Sequence, residues 1–302
     1  MVAVLAGGTG GAKLARGMLD VVGGDELAVI ANTGDDVEVY GAHVSPDPDL
    51  IAYALAAVLD ERGYGISDDT WAVMDGLAWA GRDTWFRLGD RDLALCLMRT
   101  ELLHAGLRLT EAHAKVVAGL GLSARVLPMT DEPVRTHVRA RGRWRAFQEF
   151  MIVDGAAGPV EEVELRGVEA ARPTPEVLEA LAAAEAIVIG PSNPVISIGP
   201  ILAVPGMRDA LAEARAPIVA VSPFVGGRAV KGPTEAFCAH AGIAPSAQGV
   251  ADAYADVIDG LVADEPVAGL PALELDTLMD TPEARERVAA ATLDLARSLA
   301  AR

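Results

Sequence analysis

Gly7-Gly8-Thr9-Gly10-Gly11-Ala12-Lys13 is a run whose residue types suit an anion. Glycines let backbone N–H groups approach a phosphate, and a helix starting there adds free N–H groups and the positive end of its dipole. The run is not a Walker loop, because Ala12 stands where that motif needs glycine before lysine. It is not the dinucleotide fingerprint either, since Lys13 occupies the third glycine position. The reading is a phosphate cradle built from Gly8, Thr9, Gly10, Gly11 and Lys13, with an ordinary tight turn as the alternative.

Four further segments carry chemistry. Asn32-Thr33-Gly34-Asp35-Asp36 offers paired carboxylates, the hard oxygen ligands that magnesium prefers, although Asx residues beside glycine also make plain turns. Ser45-Pro46-Asp47-Pro48-Asp49 sets two carboxylates in a Pro-rich turn suited to metal or hydroxyl contacts, while Asp49 can equally cap a helix. Asp35 and Asp36 are the candidate magnesium ligands on the first of these patterns. Trp85-Phe86-Arg87-Leu88-Gly89-Asp90-Arg91-Asp92 combines aromatics and charge in a way that suits stacking a planar ring; the plainer reading is that Asp90 caps a helix and Arg91 is solvated. Gly190 to Gly199 and Ser222 to Lys231 are two donor-rich loops, each following an apolar run. Their Ser192, Asn193, Ser222, Gly226 and Lys231 are candidates for the rest of a nucleotide pocket. The five histidines show no metal spacing and read as ordinary, and serine-hydrolase and zinc-hydrolase motifs are absent.

These segments need elements to position them. Val2 to Ala6 reads as a buried strand. Leu14, Ala15, Met18, Leu19 and Val22 then recur at helical spacing, and Leu27 to Ala31 is a second strand: one βαβ unit with parallel pairing. Helical patterns follow near 50–60, 69–80, 91–105 and 111–118, with Trp71, Trp79 and Trp85 crowded among them. A strand is expected over Val134 to Val138. The αβ rhythm resumes after Gly155, with helices opening at Thr174-Pro175 and Thr281-Pro282, where a hydroxyl cap precedes a proline. The predicted fold is a Rossmann-like three-layer αβα domain with a mostly parallel sheet. Residues 1–302 form one domain, its core from about 1–60 and 155–302. A largely helical insertion, about 60–150, sits over the strand ends where ligands bind.

Composition narrows the function. The 302 residues are 51% hydrophobic, enough for one large core. The opening apolar run is too short for a signal peptide and no run is long enough for a membrane span. Cys96 and Cys238 read as reduced thiols, so a cytoplasmic protein is expected. A net charge of −18 argues against nucleic acid. There are three lysines, and Lys13 and Lys231 both stand beside glycines, which suits local binding of a small anion.

At these same residues the sequence resembles the 2-phospho-L-lactate transferase (CofD-type) family of coenzyme F-420 biosynthesis. The glycine loop, N-x-x-D-D, P-D-x-D, W-F-x-L-G-D-R-D, S-N-P-V-x-S-I-G and S-P-x-x-G occur in order across residues 4 to 231. One departure is Ser45 before P-D-x-D and Leu50 after it, where the family often has Cys and Thr. The resemblance implies a magnesium-dependent transfer. The ribityl hydroxyl of the deazaflavin FO would attack the phosphorus nearer the acid in a guanosine-diphospho-acid, and GMP would leave. The transferred moiety would be 2-phospho-L-lactate or phosphoenolpyruvate, with the sequence leaving lactate, enolpyruvate and glycerate open as the acid. It further implies that Asp35, Asp36 and Asp49 hold the metal, with Asp36 and Asp49 catalytic, and that Asp49 and Arg87 lie near FO. The glycine loop, Lys13, Ser192, Asn193 and the 222–231 loop would hold the guanosine donor, and the protein would be a homodimer. The competing reading is a sugar-nucleotide-binding regulator of the gluconeogenesis-factor type, which shares the glycine loop and N-x-x-D-D but lacks a need for the tryptophan-rich segment.

Overall fold

The computed structural model describes residues 1–230 and 232–301, so the expected role of Lys231 lies outside the described residues. Strand β1 (Val2–Ala6) is buried at every position. A strand apolar throughout has no side to give to water and must be covered on both faces, as in a parallel sheet between two helical layers. β2 (Leu27–Ala31), β4 (Ala186–Ile189), β5 (Ile218–Val221) and β6 (Gly260–Ala263) are buried throughout as well. With β3 (Arg125–Pro128) and β7 (Ala272–Glu274) they form one parallel sheet in the order β7-β6-β5-β4-β1-β2-β3.

Alternate residues of β1 feed two cores. Ala3 and Leu5 join Ile30, Ile187, Ile189 and Ala220 on one face, under helices that contribute Val177, Ile201 and Met207. Val2 and Val4 face the opposite way, onto Leu14 and Met18 of α1 (Gly8–Val22), Ile51 and Leu55 of α2 (Pro46–Leu55), and Val288 and Leu293 of the C-terminal helix, Pro282–Ala300. The Thr174 and Thr281 hydroxyls accept the N–H groups of Val177 and Ala284, capping their helices as their sequences predict. The three-layer Rossmann-like expectation holds.

The chain runs outward from β1 through β2 to β3, then returns to β4 on the other side of β1. That reversal opens a crevice at the carboxyl ends of β1 and β4, the usual ligand position in such sheets.

The expected insertion is divided. From Asn32 the chain makes a hairpin (Val37–Val39 with Ala42–Val44), then α2, α3 (Ala72–Trp79), α4 (Asp90–His104) and α5 (Leu109–Gly119). It next re-enters the central sheet as β3, paired to β2, so residues 125–128 belong to the core and not to an insertion spanning 60–150. A second excursion is an antiparallel sheet, Arg135–Ala140 between Arg143–Ala146 and Val160–Arg166. Two carboxylates join α3 to α4: Asp90 accepts the N–H groups of Ala72 and Val73, and Asp69 accepts those of Arg91 and Asp92. Each helix is thereby capped from the other's leading segment.

Candidate active site

One cleft of about 1020 Å³ is lined by all five segments that the sequence singles out. Gly7, Gly8, Thr9, Gly10 and Lys13 line it where β1 meets α1, beside Ser192 and Asn193 after β4 and Ser222 after β5. Trp71, Trp85 and Arg87 of the first excursion line it too, together with Asp35, Asp47 and Asp49.

The glycines differ in task. Gly8 takes φ +61, a left-handed conformation that favours glycine, and its N–H donates to Asp47 Oδ1 at 2.8 Å. At Gly10 a Cβ would lie 2.1 Å from the Pro191 carbonyl oxygen, so this position lets the β1 and β4 loops touch. Gly11 is buried, outside the cleft lining, with a would-be Cβ 2.6 Å from Ser192 Oγ. It packs α1 on the neighbouring loop and does not face a ligand. Lys13 lines the cleft with its ammonium on Asp280, 2.8 Å away.

On the β4 loop, Ser192 Oγ accepts the Gly7 N–H at 3.3 Å. Asn193 Oδ1 accepts the N–H groups of Val195 and Ile196, which leaves its buried Nδ2 without a partner at the cleft wall. A buried amide donor with nothing to meet is costly in isolation and suits an incoming oxyanion. Ser222 Oγ accepts the Phe224 N–H. Gly226 is not among the lining residues; its N–H donates to Asp264.

The carboxylates divide by what surrounds them. Asp35 lines the cleft and its buried Oδ1 has no hydrogen-bond partner. Burial raises its carboxyl well above the ordinary range, and the Asp47 charge raises it further. Asp47, which the sequence reading left without a role of its own, sits beside it. Burial pushes its carboxyl up to about 6, against hydrogen bonds from Asn32 and the Gly8 N–H. Asn32 fixes this pair: its Nδ2 donates to Asp47 at 2.9 Å and its Oδ1 accepts the Gly34 N–H at 2.8 Å.

Asp36 lies behind them, outside the cleft lining, with a side chain 0% exposed. It accepts the Ser45 hydroxyl at 2.7 Å and contacts His43 Nε2 at 3.0 Å, while His43 Nδ1 meets Glu38 at 2.6 Å. Burial opposes a charged imidazole, but Asp36 and Glu38 outweigh it and raise the His43 pKa. Asp36 is therefore a support for the loop that carries Asp35, not a group that lines the cleft, and His43 is more than the ordinary histidine its spacing suggests.

Asp49 does line the cleft, but its two oxygens are gripped by the fully buried Arg99 guanidinium at 2.7–3.0 Å. A carboxylate already matched by a bidentate cation is a poor metal ligand. His113 Nδ1 lies 3.9 Å from the same carboxylate; burial first, then the Arg99 and His43 charges, hold its pKa well below the usual value. Next to it Tyr53 donates to Asp92 at 2.8 Å, and both line the cleft. Arg99 and Tyr53 went unnoticed in the sequence because nothing local marks the interior face of α4 as meeting α2, and Asp92 stood there only as the end of the Trp85–Asp92 segment.

The aromatic wall is built from Trp71 and Trp85, the latter set edge-on to Phe86 at 5.5 Å and 87°. The Tyr40 hydroxyl accepts the Phe86 N–H and holds this segment. Arg87 lies over the Trp71 ring, 5.1 Å from its centre, and pairs with Asp75 at 3.4 Å. Trp79 is 91% exposed and is not part of the cleft lining.

Comparison with known proteins supports the same grouping. The family described as 2-phospho-L-lactate transferase CofD matches residues 2–289. A protein named phosphoenolpyruvate transferase from Kitasatospora aureofaciens is 40% identical over 98% of this chain and 97% of its own length. One named 2-phospho-L-lactate transferase from Methanosarcina mazei is 37% identical over 95% of this chain and 97% of its own. A crystal structure of a UPF0052 family member from Bacillus halodurans shares the fold, with a TM-score of 0.62 at 18% identity, covering 97% of this chain and 98% of that one. With the glycine loop, paired carboxylates and aromatic segment in one cleft, and the match running nearly end to end, the chain belongs to the 2-phospho-L-lactate transferase CofD family of transferases.

Proposed function

We propose that this protein transfers a phospho-acid, 2-phospho-L-lactate or phosphoenolpyruvate, from its guanosine-diphospho derivative to the terminal ribityl hydroxyl of FO in coenzyme F-420 biosynthesis. The observation that carries the reading is the lining of one cleft by three kinds of group: the glycine loop with Ser192 and the unpartnered Asn193 amide, the Trp71, Trp85 and Arg87 aromatic segment, and the carboxylates Asp35, Asp47 and Asp49. The relatives' names supply the phospho-acid.

A divalent cation fits Asp35 and Asp47 best. Two buried like charges at one wall, one with an orphaned oxygen, are unfavourable together until a cation joins them. Magnesium there would neutralise charge on the diphosphate and on the entering oxygen. Asn32, His43 and Ser45 orient that pair and the Asp36 behind it. The cleft amides, Asn193 Nδ2 and Lys13 hold the donor's phosphates. Asp49, kept in place by Arg99, takes the proton of the acceptor hydroxyl as that hydroxyl's oxygen bonds to the acid-bearing phosphorus, and afterwards releases it to solvent. The P–O bond to the GMP part breaks, and GMP leaves. Most of the rate comes from this positioning and charge matching, as is general for phosphorus transfer.

The test is incubation with FO, magnesium and each guanylated donor, with mass detection of the phosphodiester product and of GMP. Product from one donor with stoichiometric GMP is expected. A protein that binds guanosine diphosphate yet neither binds FO nor forms product is the regulator of the competing reading.

A further inference from the structure

Between α2 and α3 the chain makes a small hairpin that the reaction described above does not use. Leu59 bridges Ile66 in antiparallel fashion, and Asp60 N–H donates to Gly65 C=O at 3.1 Å. Its far stem is fixed by the Asp69 carboxylate at the start of α4. Its tip carries Arg62 and Tyr64, and both line the cleft although Arg62 is 45% exposed at its side chain and Tyr64 is 60% exposed. Exposed aromatic surface of this size at a cleft mouth is what a planar ligand would cover.

The geometry at the tip is specific. The Arg62 guanidinium lies 5.2 Å from the Tyr64 ring centre and 5.2 Å from that of Trp71, which also receives Arg87 at 5.1 Å. Asp60 holds Arg62 through both its backbone N–H and its Nε, at 2.9 and 2.6 Å. Trp71 therefore has guanidinium groups supplied from two separate segments, the hairpin and the Trp85–Asp92 stretch. Guanidinium planes stack on rings and offer several N–H donors along an edge, a combination that recognises a flat heteroaromatic with carbonyl and hydroxyl groups around it.

We infer that the 59–66 hairpin is an acceptor-recognition element, in which Arg62 and Tyr64 border a planar heteroaromatic acceptor at the Trp71 and Trp85 wall and contact its polar edge. This rests on the proposed function for the identity of the acceptor and adds the residues that select it. Because Arg62 and Tyr64 are surface residues, substituting them leaves the cores intact.

The experiment compares wild type, Arg62→Ala, Arg62→Lys and Tyr64→Ala with magnesium and saturating donor, varying FO. Both alanine variants should raise the KM for FO about tenfold, with the donor KM and the melting temperature unchanged. Arg62→Lys should fall between, since an ammonium keeps the charge but not the planar stack. If wild type uses FO and neither alanine variant changes its KM, the hairpin inference is overturned while the function stands. If wild type neither binds nor uses FO, both are overturned.

Discussion

Asp35 keeps an unpartnered carboxylate oxygen at the wall of the cleft, whereas Asp36 beside it gives both oxygens to Ser45 and His43. Asparagine at the two positions should therefore do opposite things. Asp35→Asn should lower the rate by more than the roughly 10–100-fold that loss of an outer-sphere metal partner costs, with no loss of melting temperature. Asp47→Asn should lower the rate similarly and also cost stability, because its two oxygens accept the Gly8 N–H and the Asn32 amide. Asp36→Asn should destabilise by about 1–3 kcal/mol, because it turns a buried acceptor into a partial donor facing His43. In wild type, magnesium at a hundredfold excess over Kd should add about 2.7 kcal/mol of stability, read as a rise of a few degrees in Tm, and Asp35→Asn should abolish that rise. A chelator that leaves both rate and Tm untouched would remove the metal from the reading. The pH dependence has a definite sign. Asp47 is raised from the ordinary carboxylate range to about 6, so the metal-free fold gains stability as pH falls through 6 toward 4 and loses it as pH rises. Metal needs the deprotonated form, so magnesium-dependent rate and magnesium-dependent Tm gain should both decline below about pH 6. An acid limb that does not move when Asp47 is replaced would assign it to another group.

At the scale of elements, the β1–α1 turn fits against the β4 loop with no spare room. Gly10→Ala places a methyl on the Pro191 carbonyl oxygen, so it should cost about 1–3 kcal/mol in stability, measured by denaturant midpoint, whether or not donor is present. A variant as stable as wild type would show that the loops separate easily. The tryptophans divide in the same way. FO should quench intrinsic fluorescence saturably, and Trp71→Phe with Trp85→Phe should remove the quench, while Trp79→Phe should leave it, because Trp79 points to solvent. Much of this was legible beforehand. Buried strands read from unbroken apolar runs, and the caps at Thr174 and Thr281 from hydroxyl-proline pairs. The strand Arg125–Pro128 was not, because it is four residues long, ends in proline and follows helices; its register comes from β2, which no local pattern records. Nor was Asp47 distinguishable from Asp49. Both sit in one Pro-rich turn, and their roles are set by Asn32 on one side and Arg99 on the other, neither of them close in sequence.

For the molecule as a whole, a net charge of −18 surrounds a cleft proposed to take an anionic donor. Repulsion at long range and attraction at short range separate by salt. Raising ionic strength from 0.01 to 0.15 M shortens the screening length from about 30 to about 8 Å, which removes the former and spares the latter. Donor association, followed by stopped flow, should therefore quicken with added salt over this range. Slowing would mean that Lys13 and the loop amides dominate the field well outside the cleft.

The placement of β3 has a consequence for synthesis. β1 is an interior strand of the sheet, yet its two neighbours are made at very different times, β2 directly after α1 and β4 only after both excursions. By the time Pro128 leaves the ribosome, the chain holds Asp35, Asp47, Asp49, Trp71 and Trp85, and β1-β2-β3 can pair. One side of β1 still lacks its partner, and Asn32 lacks the Ile196 carbonyl to which its Nδ2 also donates. The nascent molecule thus carries the carboxylates and the aromatic wall on a half-sheet with an open apolar edge, and Ser192 and Asn193 arrive with the strand that closes that edge. Two of the residues proposed to hold the guanosine donor and the strand that covers the open side of β1 thus arrive together.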